Sequence, residues 1–142
     1  MFLNYPEIEN LYKRKKIDKF LKFNPNARHN QYIAQTKYDG TNIQFCFEPN
    51  QEMRIAKRSQ LLGRDENFYG ILDVLDRYQD ILNYVQIICD DIEKPINLFG
   101  ELFGQGIQKR INYGPDKYLK FFDIAVNGEF FTYSLAKIRF PK

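Results

Sequence analysis

The chain has no tryptophan, one histidine and two cysteines among its 142 residues, and each shortage narrows what it can do. The lone histidine, His29, stands among Asn24, Pro25, Asn26 and Asn30, so it reads as a loop residue and not as a metal ligand. Cys46 and Cys89 lie far apart, without CxxC spacing, each inside an apolar segment. That pattern predicts buried free thiols in a reducing compartment. No run approaches the ~20 apolar residues of a membrane span, and the N-terminus lacks a signal-peptide core. The expectation is a soluble intracellular protein with no membrane partner. Internal repeats, low-complexity tracts and Pro/Gly/Ser-rich linkers are also missing.

What is present describes a folded domain. Hydrophobic residues make up 44% and aromatic residues 16%, supplied by 13 Phe and 10 Tyr, enough to bury one real core. Net charge is +3, which permits a polyanionic partner without demanding one. The sharpest charge run is Lys13-Arg14-Lys15-Lys16, followed by Lys19 and Lys22. It reads as a solvated helix face or as a contact to phosphates.

Periodicity predicts a polar helix or two short helical turns from Glu7 to Lys22, a loop from Asn24 to Asn30, and strands near Tyr32–Lys37, Ile43–Glu48 and Met53–Ser59. The Asp39-Gly40 pair between the first two strands reads as a tight turn in which Gly takes positive φ. Phe68, Ile71, Leu72, Leu75, Tyr78, Leu82, Val85 and Ile88 recur at helical spacing, with Asp65 or Asn67 available as N-cap and Pro95 as the far boundary. Strands follow at Asn97–Phe103 and Tyr118–Val126, and an Asn127-Gly128 turn leads into Glu129–Tyr133. The fold class is α+β, antiparallel sheets with one main helix.

Four segments carry chemistry. Thr36-Lys37-Tyr38-Asp39-Gly40-Thr41-Asn42 fixes a lysine beside a turn. Ala56-Lys57-Arg58-Ser59 ends a strand on two cations. Phe99-Gly100-Glu101-Leu102-Phe103-Gly104 puts a carboxylate inside an apolar strand and runs on into Gln105-Gly106-Ile107-Gln108-Lys109. Lys120-Phe121-Phe122-Asp123-Ile124 joins an aromatic pair to a carboxylate. Taken singly, Lys37 is a solvated hairpin lysine, Arg58 a surface cation, Glu101 an edge charge and Phe122 plain core. Together they supply a nucleophilic amine, cations for phosphates, a carboxylate for ribose hydroxyls and an aromatic face for a base.

In that order the segments resemble the covalent nucleotidyltransferase superfamily of polynucleotide ligases and capping enzymes, and more closely its RNA ligase 2 family. Lys37-Tyr38-Asp39-Gly40 looks like the nucleophile motif. Phe99-Gly100-Glu101 through Ile107-Gln108-Lys109, with Tyr113-Gly114 beyond, is the most specific match. The resemblance extends from about Tyr32 to Ile124. It implies the adenylation domain of an ATP-dependent RNA ligase, with ATP and Mg²⁺ as cofactors and RNA bearing 5′-phosphate and 3′-OH ends as partner.

By the same resemblance Lys37 would attack the α-phosphate of ATP and later yield AMP to the RNA. Arg58 would contact ribose or phosphate, Glu101 the ribose hydroxyls, and Phe122 would stack on adenine. Thr36 would read the adenine edge, and Asn42 would lie near the reacting phosphate. Asp39, Gly40, Lys57 and Asp123 would be supporting residues. An amine attacks only when neutral, and a free lysine titrates near ~10.4, so such a site needs burial and neighbouring cations.

The family carries two further motifs, a metal-binding carboxylate-glycine motif and a K-x-K pair. Neither is found after Ile124: Val126-Asn127-Gly128-Glu129-Phe130 has the wrong order, and Ala136-Lys137-Ile138-Arg139 is a poor substitute for paired lysines. No metal ligand is therefore assignable, and residues 1–142 read as an adenylation domain truncated before those motifs. The expectations are a fragment of a split gene, one half of a two-chain enzyme whose second chain supplies the missing cations, or a degenerate domain that binds adenine nucleotide or RNA without catalysis.

Overall fold

The computed structural model describes residues 1–7, 12–30 and 34–131. The chain divides into two compact units, Tyr5–Lys37, and Met1–Asn4 with Tyr38–Lys142. The smaller unit contains helix α1, Arg14–Phe23, and a short 3₁₀ turn, Pro25–His29. A loop was expected at this turn. Pro25 at its start presets the backbone torsion a helical turn needs, and the Ala27 amide donates back to the carbonyl of Asn24 at 3.0 Å. Of the strand expected at Tyr32–Lys37, residues 34–37 have no regular structure, and residues 31–33 fall outside the described set.

The larger unit is a six-stranded antiparallel sheet packed on helices. Its strands are β1 Thr41–Phe47, β2 Arg54–Lys57, β3 Gln60–Leu61, β4 Ile96–Gly104, β5 Lys117–Val126 and β6 Glu129–Phe130, in the order β3-β2-β1-β4-β5-β6. The hairpin from β5 to β6 turns on Asn127 and Gly128 at φ 51° and 81°, the double left-handed turn that suits the sheet's twist. Tyr133, expected in that last strand, lies outside the described residues. Alternation sorts the side chains. Ile43, Phe45 and Phe47 of β1, Ile96, Leu98 and Leu102 of β4, and Leu119 and Ile124 of β5 form the core with the helices. Each such side chain, fully buried, contributes about 1.5–3 kcal/mol.

The long helical stretch is interrupted. Tyr69 and Gly70 take left-handed torsions, φ 51° and 75°, so regular helix begins only at α2, Ile71–Leu75, whose Leu72 amide donates to the Asn67 side chain at 2.9 Å. A 3₁₀ turn at Asp76–Tyr78 then separates α2 from α3, Gln79–Ile92. That break lets the Tyr78 hydroxyl accept the Leu119 amide of β5 at 2.9 Å. Leu82, Val85 and Cys89 bury one face of α3. The helix ends on Glu93 in a left-handed torsion just before Pro95. Cys46 and Cys89 are both buried and unbridged, as expected. Among the described residues no helix is long and apolar enough to cross a membrane.

Candidate active site

The sheet face turned away from the helices is polar at one end, and strand register alone assembles it. Asn42 of β1 pairs with Glu101 of β4, which pairs with Lys120 of β5. Next along are Gln44, Phe99 and Asp123 in the same three strands. Arg58 follows Lys57, whose partner on β1 is Ile43, so it sits in the β2–β3 turn one step beyond that pair and is exposed. Lys57 itself shares the row of Ile43, on the helix-packed face, with its ammonium 5.5 Å from the centre of the Phe68 ring. The register therefore brings Asn42, Glu101 and Asp123 together on one face and leaves Lys57 on the other.

Phe122 owes its position to an irregularity. Phe99 faces Asp123 and Gly100 faces Phe121, so Phe122 is the extra residue of a β-bulge. Its neighbour Phe121 is committed to the core, with ring centres 5.8 Å from both Phe45 and Tyr78. Without the added residue, the alternation set by Phe121 would carry Asp123 into the core and Ile124 out of it. Phe122 is half-buried, and bulges of this kind commonly re-aim side chains beside functional sites.

The turn before β1 is held from five directions. The Tyr38 ring stacks on Phe103 with centroids 4.3 Å apart. The Asp39 amide donates to the Tyr113 hydroxyl at 2.8 Å. Arg110 donates to both carboxylate oxygens of Asp39, from Nε at 3.1 Å and Nη2 at 2.6 Å. The Gly40 amide donates to Glu101 Oε1 at 3.0 Å, and its carbonyl accepts from Gln108 Nε2 at 3.2 Å. The positive φ expected at Gly40 is absent from its backbone. Glycine is required there for closeness: a Cβ would lie 2.1 Å from the Leu102 carbonyl oxygen and 2.8 Å from the Phe103 Cβ. The turn is not a hairpin between two strands but a seam closed against β4.

Thr36 and Lys37 are the last residues of the smaller unit, and both are exposed. Lys37 is joined by its peptide bond to Tyr38, the first residue of the held turn. The Glu101 carboxylate, expected at ribose hydroxyls, already accepts one backbone amide. Among the described residues, no three His, Cys, Asp or Glu side chains gather to hold a metal ion.

Sequence reasoning gave no role to Tyr38, Gln108, Arg110 or Tyr113. Their contacts to the turn span up to 74 positions, beyond what periodicity reaches; the nearest signal was the Gln108-Lys109 and Tyr113-Gly114 continuation of the Glu101 segment. It also missed two buried amides on the same sheet face, Gln44 and Asn97, 2% and 0% exposed. Gln44 Nε2 and Asn97 Oδ1 have no hydrogen-bond partner among the described residues, each a cost of about 1–3 kcal/mol. In comparison with known families, the family model described as RNA ligase matches residues 30–139. That span takes in all four chemistry-bearing segments.

Proposed function

The chain belongs to the RNA ligase family, and from that premise we propose that it is an ATP-dependent RNA ligase acting at least through adenylation of Lys37. The observation that carries the reading is the family match across residues 30–139, with the nucleophile motif, the cations, the carboxylate and the aromatic all inside it.

In the proposed reaction the neutral amine of Lys37 attacks the α-phosphorus of ATP. A phosphorus–nitrogen bond forms, the bond to the bridging oxygen breaks, pyrophosphate departs, and the amine gives its proton to solvent. AMP then passes to an RNA 5′-phosphate, and a 3′-hydroxyl displaces it to seal the strand. Arg58 would hold phosphate or ribose and Glu101 the ribose hydroxyls, while Phe122 would stack on adenine. Thr36 would read the adenine edge through its backbone, and Asn42 would lie near the reacting phosphate. Lys57 and Asp123 would support these residues. Asp39 and Gly40 would keep the lysine's immediate neighbours fixed, so that less orientational freedom is lost in the reaction. Mg²⁺ would enter on the triphosphate and help neutralise the leaving group; the proposal gives it no ligand among the described residues.

The test is incubation with α-labelled ATP and Mg²⁺, for the chain alone and mixed with the product of the neighbouring open reading frame. Label should appear on the wild-type chain and disappear in Lys37→Ala. Label retained by that variant would sink the assignment. Label only on mixing would point to a two-chain enzyme, and none in either case to a non-catalytic nucleotide- or RNA-binding domain.

A further inference from the structure

We propose that the exposed lysine stripe of α1, Lys15, Lys19 and Lys22, docks the sugar-phosphate backbone of RNA. The choice of RNA as the polyanion rests on the ligase reading. The stripe itself rests on helix geometry. Positions i, i+4 and i+7 share one face, and at 1.5 Å rise per residue they extend over about 10 Å. All three lysines are exposed, while Ile17 and Leu21 on the other side of the helix are half-buried. None of the three makes an ion pair among the described residues.

Charge is segregated in the same direction. Of the chain's 21 Lys and Arg and 18 Asp and Glu, eight cations and three acids fall in Tyr5–Lys37, a surplus of five positive charges. Thirteen cations and fifteen acids remain elsewhere, a deficit of two. The chain's basic character therefore belongs to its smaller unit, and within it to α1.

The helix is also built against its own stability. Its first turn carries Arg14, Lys15 and Lys16 and no acid, where the macrodipole favours negative charge. Lys15 and Lys19, and Lys19 and Lys22, are like-charged neighbours at i, i+4 and i, i+3, which repel. No side chain caps the N-terminus. Asp18, three residues after Lys15 and four before Lys22, offsets part of this repulsion, and a polyanion laid along the stripe would offset the rest. Phe20 and Phe23 of the same helix are exposed, the kind of apolar side chain a membrane surface would take up, so binding to anionic vesicles is the outcome the experiment sets against RNA.

The experiment measures binding of the full chain to a fluorescent nicked RNA duplex by anisotropy over a salt series. The variants are Lys15→Gln/Lys19→Gln/Lys22→Gln and a charge-matched control in the larger unit, Arg64→Gln/Arg77→Gln/Lys94→Gln. The stripe variant should bind about tenfold or more weakly, with the slope of log affinity against log salt smaller by about 2 to 3. The control should bind like wild type, and Lys15→Arg/Lys19→Arg/Lys22→Arg should restore affinity. Equal losses in stripe variant and control would reduce the effect to net charge and overturn the proposal. So would unchanged binding by the stripe variant, or stripe-dependent binding to anionic vesicles with RNA affinity intact. Circular dichroism confirms that α1 remains folded in each variant. Labelling with α-labelled ATP reports on the ligase reading separately. A chain that labels itself while its stripe is silent loses only the docking proposal, and a stripe that binds RNA on a chain that takes no label leaves only the ligase reading overturned.

Discussion

Gly40→Ala should be among the most damaging single-methyl additions in the chain. The added Cβ would sit 2.1 Å from the Leu102 carbonyl oxygen, whereas carbon–oxygen contacts are comfortable near about 3.3 Å. Relief requires the chain before β1 to retreat from β4 by about 1 Å. That retreat breaks the Gly40 amide to Glu101 hydrogen bond, now 3.0 Å, and loosens the Thr41–Leu102 end of the β1–β4 pairing. A hydrogen bond to a charged group is worth about 1.5–3 kcal/mol and a backbone bond about 1 kcal/mol, so the loss is roughly 2.5–4 kcal/mol. Against a total stability of about 5–15 kcal/mol, this is a large fraction. With a urea slope of about 2 kcal/mol/M, the midpoint should fall by roughly 1.2–2 M. Gly63→Ala is the internal control. Its Cβ would find its nearest neighbour, the Glu66 Cβ, at 3.7 Å, and its effect should stay within about 1 kcal/mol. A Gly40→Ala protein that unfolds within about 0.5 kcal/mol of wild type would refute the close approach and the seam built on it.

Two further outcomes follow from the same geometry. Phe121→Ala should destabilise by about 3–5 kcal/mol because it empties a packed site between Phe45 and Tyr78. Phe122→Ala should cost clearly less stability yet weaken binding of an adenine nucleotide by titration calorimetry; matched stability losses would show the bulge residue to be ordinary core. Burial pushes the thiols of Cys46 and Cys89 up, and the charge of Asp90 adds to this at Cys89. Because the native thiols hold protons that the unfolded chain releases, their stabilising effect is complete below about pH 9 and is lost as pH rises beyond it. Urea midpoints at mildly and strongly alkaline pH should fall less steeply in Cys46→Ala/Cys89→Ala than in wild type, and parallel declines would contradict the assignment.

The sequence signalled the elements whose causes are local. Alternating apolar residues placed β1, β4 and β5 within a residue or two, and Asn127-Gly128 announced the last hairpin. The broken helix was illegible because its breaks answer to distant partners: Tyr78 leaves the helical path to meet the Leu119 amide across 41 positions. The strand expected before Lys37 is absent from residues 34–37. Its apolar-polar rhythm was compatible with a ladder, but residues 34–37 enter none. At the candidate site, motif order pointed to Asn42, Glu101 and Asp123, which the register gathers on one face. Alternation could have warned that Lys57, adjacent to Arg58 in sequence, would face the other way. The grip of Arg110 and Tyr113 on the turn left no trace in local pattern, since a cation and a phenol in a loop have many uses.

The grip on Tyr38–Gly40 also has a place in time. Its contacts span 61 to 74 positions, so the ribosome makes the turn long before it makes the residues that hold it. At about 5–20 residues per second, Asp39 waits roughly 4–15 s between its own synthesis and that of Tyr113. Every residue from Lys37 to Arg110 exists by then, yet the Tyr113 hydroxyl that accepts the Asp39 amide does not. Translation that pauses before residue 110 leaves a chain with Lys37 and its strands through β4, but without the guanidinium and phenol that close the seam. In such a chain the turn before β1 is made early and latched late.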